Sequence, residues 1–250
     1  MTIDFGAACK DLFTTEKKWM TLLLLSVCVL IPVVGMMVAM GYLFRRYAGV
    51  RAGIPAADFD FSFFGEHLQA GLWPVVSGLV ASLVVIPVII LAMLPMMLGP
   101  ALFQDNEAMM FLCMGVGMIL YVAVLVAMTM ILIPIQLRSG LMMDFKAGFS
   151  KAFIIDFIKK VGGSMLLWYV VLMIVVTPLA LLGYLALFVG VYVVMAWAQV
   201  TWMHLLFQHY DLYLERGGQA IPVNPALLTV LAPPTPPTAP PTAPPTLPIS

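Results

Sequence analysis

Residues 17–46 read "KKWMTLLLLSVCVLIPVVGMMVAMGYLFRR", an apolar run from Trp19 to Phe44 with a pair of basic residues at each end. At 1.5 Å per helical residue, about 20 apolar residues cross the roughly 30 Å hydrocarbon core of a bilayer, so this run is long enough to span it. The run exceeds the apolar core of a cleavable signal peptide, and no A-x-A site follows it. We therefore expect it to remain in the membrane.

The rest of the chain also has the composition of a membrane protein. Of its 250 residues, 63% are hydrophobic and only 10% are charged, and its mean hydropathy is +1.06, whereas a water-soluble domain is about a quarter charged. We predict an all-α, polytopic helical membrane protein with about five transmembrane segments, near residues 19–44, 71–98, 109–137, 163–182 and 185–207. The last two form one apolar block, which we divide at Gly183 because glycine permits a tight turn.

Basic residues indicate which ends of the segments face the cytoplasm. Residues 99–108 contain no Lys or Arg, and neither does the turn at Gly183, whereas residues 138–160 are rich in both and Arg216 follows the last segment. We therefore predict that the second and third segments form one hairpin, that the fourth and fifth form another, and that both tips lie outside. The carboxyl terminus is then cytoplasmic.

The first segment leaves two topologies open. If residues 19–44 cross the membrane fully, Lys10, Lys17 and Lys18 lie outside, against the usual distribution of positive charge. If Pro32 and Gly35 instead break the segment into two short halves that enter and return, all twelve Lys and Arg residues lie inside. Proline is tolerated within transmembrane helices, so we prefer the full crossing and keep the re-entrant alternative.

The chain after residue 58 resembles two copies of one pattern: a Phe-rich approach, a glycine, an apolar run and a proline near the middle of that run. Each copy would form a hairpin that is entered from the same side of the membrane. In the first approach, Phe61, Phe64, Leu68 and Leu72 fall on one helical face, which predicts a short interfacial helix. The second approach, residues 144–160, has phenylalanines at four-residue spacing and receives the same interpretation.

Residues 221–250 differ in character, since they hold most of the chain's 19 prolines and no charged residue. Proline removes backbone donors and fixes φ, so this part cannot continue the helical transmembrane domain, which we end at residue 220. Repeated Pro-Pro-Thr favours an extended polyproline II strand over residues 233–248. Such a proline-rich tail is either a disordered end or a segment that docks on a partner protein.

Ionisable side chains inside transmembrane segments usually mark reaction centres or ion paths, and the first four segments contain no Asp, Glu, Lys, Arg or His. The fifth ends in His204, His209 and Asp211, which are weak candidates for a metal or proton-handling site. The separation of the two histidines does not suit two ligands on one helix. The interpretation that we prefer is a belt of aromatic residues and histidines at the membrane interface.

No sequence feature indicates a cofactor or a catalytic centre. The 20 methionines would suit Cu(I) only where ligands converge, so adaptable packing is the preferred interpretation. The sequence has no phosphate-binding loop, nucleophile motif or paired carboxylates. A net charge of zero gives no reason to expect a nucleic acid partner. We predict a protein that is not an enzyme and binds no cofactor or metal.

Small residues indicate where helices pack closely. Gly78 and Ser82 lie on one face of the second segment, and Gly115 and Gly117 on the third segment could admit that face. We expect these residues to serve helix packing, either within the chain or between chains.

Several motifs carry a resemblance to a known family: "GYLFRR" at 41–46, "IPAADFDF" at 54–61, "FFGEHLQAGLW" at 63–73, "DFKAGFSKAFI" at 144–154 and "WAQVTWMHLLFQHYDLY" at 197–213. They resemble the prokaryotic polytopic membrane family known as domain of unknown function 4013, over roughly residues 7–216. The resemblance implies a prokaryotic cytoplasmic (inner) membrane location. It supplies no activity, cofactor or site residue.

The expected function is a non-catalytic membrane scaffold or an accessory subunit of a larger membrane complex. Its expected partners are membrane lipids and either other membrane protein subunits or further copies of the chain. A transporter or channel for a small neutral or apolar solute is the alternative, because prolines within the segments, such as Pro87 and Pro178, also occur in the broken helices of transporters.

Overall fold

The computed structural model describes residues 2–185 and 188–229, and within these ranges the protein is built of helices. We number the helices α1 (Phe5–Lys10), α2 (Lys18–Leu30), α3 (Val34–Arg51), α4 (Phe64–Leu102), α5 (Glu107–Met142), α6 (Phe145–Gly148), α7 (Lys151–Leu185) and α8 (Val189–Glu215). Short 3-10 turns cover Asp11–Thr14, Phe61–Phe63 and Pro225–Leu227. The helical fold class agrees with the sequence prediction. The polyproline strand predicted for residues 233–248 lies outside the described residues.

The first apolar segment does not form one long helix. It divides into α2 and α3, which meet at a break over residues 31–33. A Cβ atom on Gly35 would lie 1.9 Å from the carbonyl oxygen of Cys28, so the two helices touch immediately beyond the break. Of the described helices, four are long and apolar enough to cross a membrane, namely α4, α5, α7 and α8. Residues 19–44 thus have the bent arrangement of the re-entrant alternative, and the single long helix that we preferred is not observed there.

The break itself is a tight turn centred on Val33. The Val34 N–H donates to the Pro32 carbonyl at 2.8 Å, and Val33 has φ 62° and ψ −67°. These values describe the rarer, strained form of the γ-turn, in which the central residue has positive φ. Because Val33 is β-branched, this conformation is held against its intrinsic preference by the packing of α2 and α3 on either side.

The chain enters and leaves the re-entrant pair at the same end of the bundle. The Lys17 N–H donates to both carboxylate oxygens of Asp58 at 3.3 Å, and the Phe59 N–H donates to Thr21 Oγ1 at 3.3 Å. The segment before α2 thus contacts the segment after α3. All twelve Lys and Arg residues of the chain gather at this end, which we call the basic end.

The four long helices form two antiparallel hairpins, α4 with α5 and α7 with α8. In the first, Ser77 Oγ lies 2.8 Å from Ser139 Oγ near the basic end, and Gly99 packs on Cys113 near the tip. In the second, Ser164 Oγ lies 3.3 Å from His209 Nε2. Gly183 belongs to α7 and not to the turn as predicted. Its missing side chain lets the backbone of Gly190 on α8 approach closely.

The two approaches do not form the interfacial helices that were predicted, and the only separate helix in them, among the described residues, is the one-turn α6 (Phe145–Gly148). The first approach runs through the Phe61–Phe63 turn directly into α4, and most of the second is the start of α7. At 1.5 Å per residue α4 is roughly 58 Å long, so it extends well beyond a bilayer core of about 30 Å. Continuous backbone hydrogen bonding makes each approach the end of a long helix.

The buried core lies towards the basic end. Phe44, Leu137, Phe157 and Tyr213 from different helices are almost fully buried there, whereas the halves of the hairpins towards the tips expose large apolar side chains. Packing continues past residue 220: Leu227 is fully buried, and the Asn224 N–H donates to the Leu141 carbonyl at 2.8 Å. Residues 221–229, which the sequence assigned to the tail, thus cover the basic end of the core.

Candidate functional site

A cleft of about 480 Å³ lies between the two hairpins, above the turn of the re-entrant pair. Ile31 and Pro32 of that turn form its floor. Its walls come from α3, α4, α5 and α8 and include the following side chains: Met36, Met40, Val75, Leu79, Ser82, Gln136, Met195, Gln199, Trp202, Met203 and Leu206. Three of the four walls, α4, α5 and α8, are thus helices that are long and apolar enough to cross a membrane.

The lining of the cleft is apolar and adaptable, with a few polar groups. Methionine has a flexible, polarizable side chain that adjusts to differently shaped partners. The side-chain amides of Gln136 and Gln199 have no hydrogen-bond partner among the described residues. Each amide carries both donors and an acceptor. The cleft thus combines an apolar surface with hydrogen-bonding groups for an occupant.

A polar cluster lies between the amino-terminal segment, α3 and α8, at the basic end. Asp11 Oδ2 accepts hydrogen bonds from Tyr47 Oη at 2.5 Å and from Arg46 Nη2 at 3.0 Å. His204 Nδ1 lies 3.4 Å from Asp11 Oδ1, close enough for an ion pair but without hydrogen-bond geometry. Only 1% of the Arg46 side chain is exposed, so Asp11 is the counterion of a buried guanidinium.

These neighbours stabilise the negative charge of the Asp11 carboxylate. Burial alone raises the pKa of a carboxyl group, but the His204 imidazole, the Arg46 guanidinium and the Tyr47 hydroxyl favour the charged form more strongly. The net result is a pKa of Asp11 below its ordinary value of 3.8. Asp11 is therefore ionised at neutral pH and joins the amino-terminal segment to the helical core.

The three weak candidates for a metal or proton site do not form one group. His204 faces Asp11, whereas His209 contacts the Leu205 carbonyl at 2.7 Å and Ser164 on α7. Asp211 forms an ion pair with Arg51. In the described ranges, no group of three or more His, Cys, Asp or Glu side chains could hold a metal ion. Their shared helix places them near one another in sequence, but their partners come from different elements.

The predicted small-residue contact between the second and third segments also differs from the observed one. Gly78 lies opposite Gln136, whose Nε2 atom would be 2.6 Å from an added Cβ. Gly117 packs on the Met96 backbone nearer the tip, and Gly115 faces open space. Ser82 donates to the Gly78 carbonyl at 2.8 Å and lines the cleft. Gly78 and Gly117 therefore admit larger residues at different depths and do not meet.

The partners of the buried charges are not evident from the sequence. Arg45 and Arg46 indicate only topology there, and nothing in the sequence assigns a role to Asp11. The available signal was the sequence "YLFRRY" at 42–47, in which two arginines follow an apolar run without a carboxylate nearby in the chain. Buried arginines need partners, and these had to come from distant segments.

Comparison with known proteins adds one finding. The profile of a family described as "Protein of unknown function (DUF4013)" matches residues 24–195. Neither the curated proteins nor the solved structures contain a match. The matched range runs from within α2 to the first part of α8 and so includes most of the α2–α3 pair and the whole of the first hairpin. Since more than half of the sequence is matched, the chain belongs to the DUF4013 family of proteins of unknown function.

Proposed function

We propose that the protein is a non-catalytic integral membrane scaffold or accessory subunit, and that its cleft receives a transmembrane helix of another membrane protein. The observation that supports this proposal is the cleft itself. It lies among membrane-embedded helices, has an apolar and methionine-rich lining, and contains unpaired amides that suit a polar residue on an incoming helix. A further copy of the chain is one form that such a partner could take.

The apolar surface around the cleft favours an elongated occupant. Leu79 and Met195 at the cleft are 50% and 41% exposed, and exposed apolar side chains continue along the same helices towards the tips, for example at Leu83 and Tyr192. A small solute would cover only the cleft. A partner helix about 10 Å wide would cover the cleft and the surface beyond it.

A transporter for a small neutral or apolar solute is the second candidate. A volume of about 480 Å³ falls within the usual range of ligand pockets, roughly 300–1,000 Å³. The floor of the cleft is irregular backbone, which membrane proteins tolerate where it lines a cavity. These features are compatible with either occupant. They favour a solute over a partner helix only if no protein binds in the cleft.

We further propose that the basic end faces the cytoplasm of a prokaryotic inner membrane, as positive charges usually do. Labelling of single cysteines tests this orientation. Each cysteine is introduced alone, at Glu16, Ala52 or Asp105, into a chain whose own cysteines are replaced. In intact cells we expect a membrane-impermeant maleimide to label position 105 but not positions 16 or 52. A full crossing of the first segment would instead expose position 16 together with position 105, and labelling at positions 16 and 52 alone would invert the orientation.

Photo-crosslinking tests the proposed partner. A benzophenone amino acid at Leu79 lies in the cleft, and the same residue at Val84, which is 72% exposed, provides the control. At 100° per residue, position 84 lies on the opposite side of α4 from the cleft-lining residues. Irradiation of native membranes is expected to give discrete protein adducts at position 79 and lipid adducts at position 84.

The outcomes separate the two functions. A discrete protein adduct that appears at position 79 alone supports the scaffold. Equal protein adducts at both positions would mean that neighbouring proteins contact α4 nonspecifically, and the cleft would then not be the docking site. If position 79 yields no protein adduct, and proteoliposomes take up a labelled neutral solute in a manner blocked by a bulky residue at Gly78, the transporter replaces the scaffold.

A further inference from the structure

We propose that a cavity between α3 and the start of α4 binds a phosphate group, carried either by a lipid headgroup or by free phosphate. The cavity has a volume of about 140 Å³ and lies at the basic end, apart from the cleft. Its lining includes Tyr42, Arg45, Arg46, Asp58, Phe63 and His67. The space is large enough for several waters and therefore for a phosphate group.

Arg45 is the main reason to expect an anion. Its side chain is 1% exposed, and its Nη1 atom lies 3.3 Å from His67 Nδ1. Its Nε and Nη2 atoms are buried without a hydrogen-bond partner. Within the described residues, no carboxylate forms an ion pair with Arg45, whereas the adjacent Arg46 is paired with Asp11 at 3.0 Å. A buried guanidinium without a counterion is strongly unfavourable, so an anion would complete this site.

The free donors of Arg45 have the geometry that phosphate requires. Nε and Nη2 form one edge of the planar guanidinium, and such an edge binds two oxygens of a phosphate side by side. His67 adds a third donor. Because arginine can only donate, His67 Nδ1 must accept from Arg45, and the ring proton of a neutral His67 is on Nε2. That atom is also buried and has no partner.

The acidic groups nearby do not neutralise Arg45. Asp58 lines the cavity, but its carboxylate accepts from the Lys17 N–H, and it forms no ion pair with Arg45 within the part of the chain that the structure describes. Glu66 attracts Arg45 electrostatically, but both Glu66 and Asp60 are exposed to solvent, and neither forms an ion pair with Arg45 within the described residues. Phe63, the N-cap of the long helix α4, also lines the cavity, so the positive end of that helix dipole adds to the attraction for an anion.

Thermal unfolding of the full chain in delipidated detergent micelles tests this site. The wild type is compared with Arg45→Gln, which removes the charge at similar size, and with Arg51→Gln, which makes the same change on α3 away from the cavity. Each protein is measured with sodium phosphate, with sodium chloride at matched ionic strength, and with added phosphatidylglycerol. We expect phosphate or phosphatidylglycerol to raise the unfolding temperature of the wild type and of R51Q by several degrees, but not that of R45Q.

The separate additions identify the source of the phosphate group. A shift with inorganic phosphate supports a free anion, and a shift with phosphatidylglycerol alone supports a lipid headgroup. Without either ligand, we expect R45Q to unfold at the same temperature as the wild type or higher, because an uncompensated buried charge has been removed. The proposal is wrong if neither ligand raises the unfolding temperature of the wild type, or if the unfolding temperature of R45Q rises as much as that of the wild type. If R45Q does not fold, the response of the wild type alone decides.

Discussion

Replacing Gly41 with alanine is expected to abolish or severely weaken the packing of α3 on α4. A Cβ atom on Gly41 would lie 1.7 Å from the His67 carbonyl oxygen and 2.7 Å from the Gly71 nitrogen. A Cβ on Gly71 would in turn lie 1.7 Å from the Met37 carbonyl oxygen. These atoms belong to helix backbones, which cannot rotate away as a side chain can. The whole of one helix would have to move.

The expected cost exceeds that of ordinary overpacking, which is about 1–3 kcal/mol in a core. We therefore expect G41A to give little folded protein, or protein that unfolds at a much lower temperature in the same detergent. Because Arg45 and His67 face each other across this contact, G41A should also abolish the response to phosphate.

Gly65→Ala is the matched control, since Gly65 lies in α4 and a Cβ atom added there would meet nothing within 4 Å. Alanine is a better helix former than glycine by about 1 kcal/mol, so G65A should be neutral or stabilising. Size-exclusion profiles and thermal unfolding of the two variants compare them directly. Equal unfolding temperatures for G41A and the wild type would mean that α3 and α4 do not approach as closely as described.

The glycines show what the sequence could predict about packing and what it could not. Spacing alone identified Gly78 as a position for close packing, and Gly78 does admit Gln136. Spacing could not identify the partner, because the facing residue depends on the register between helices. The tightest contact, Gly41 with Gly71, joins the end of one apolar segment to the start of the next, and neither glycine belongs to a small-residue repeat that would have marked it.

The first apolar segment shows the same limit for topology. Pro32 and Gly35 allowed a break to be predicted at the correct place, because both act on local backbone geometry. Whether the chain then crosses or returns depends on distant contacts. These include the bond from Phe59 to Thr21 and the pairing of Lys17 with Asp58. The distribution of lysines favours the return, whereas the tolerance of membrane helices for proline favours the crossing.

The polar cluster could not be predicted from helical faces. His204 was placed with residues of its own helix, since these are the neighbours that periodicity reveals. Its actual neighbour, Asp11, comes from the amino-terminal segment, and the buried Arg46 comes from α3. The sequence thus identified a residue of the cluster but neither of the two charges that decide its chemistry.

Asp11→Asn is expected to destabilise the protein strongly at neutral pH. The substitution keeps the shape of the side chain but leaves the guanidinium of Arg46, 1% exposed, without its counterion. Removal of one partner from a buried ion pair costs about 3–5 kcal/mol. For a chain of this size that corresponds to a fall in unfolding temperature of roughly 6–20 °C. Thermal unfolding at pH 7, followed by tryptophan fluorescence, measures it.

The pH dependence identifies the charge as the cause. The folded-state pKa of Asp11 lies below its ordinary value of 3.8, so the stabilisation by the carboxylate is complete above pH 3.8 and is lost as the pH falls through the lower, folded-state pKa. The asparagine variant has no such titration. The difference in stability between the wild type and D11N should therefore shrink as the pH falls below 3.8.

Asp105→Asn provides the control, because Asp105 is exposed at the tip between α4 and α5 and the substitution removes the same charge. We expect D105N to unfold within about 2 °C of the wild type, since surface substitutions usually change stability by less than 0.5 kcal/mol. If D11N matches D105N at pH 7, Asp11 is not the counterion of Arg46. If D11N is destabilised equally at all pH values, the loss comes from altered packing or hydrogen bonding, and the charge of Asp11 does not join the amino-terminal segment to α3.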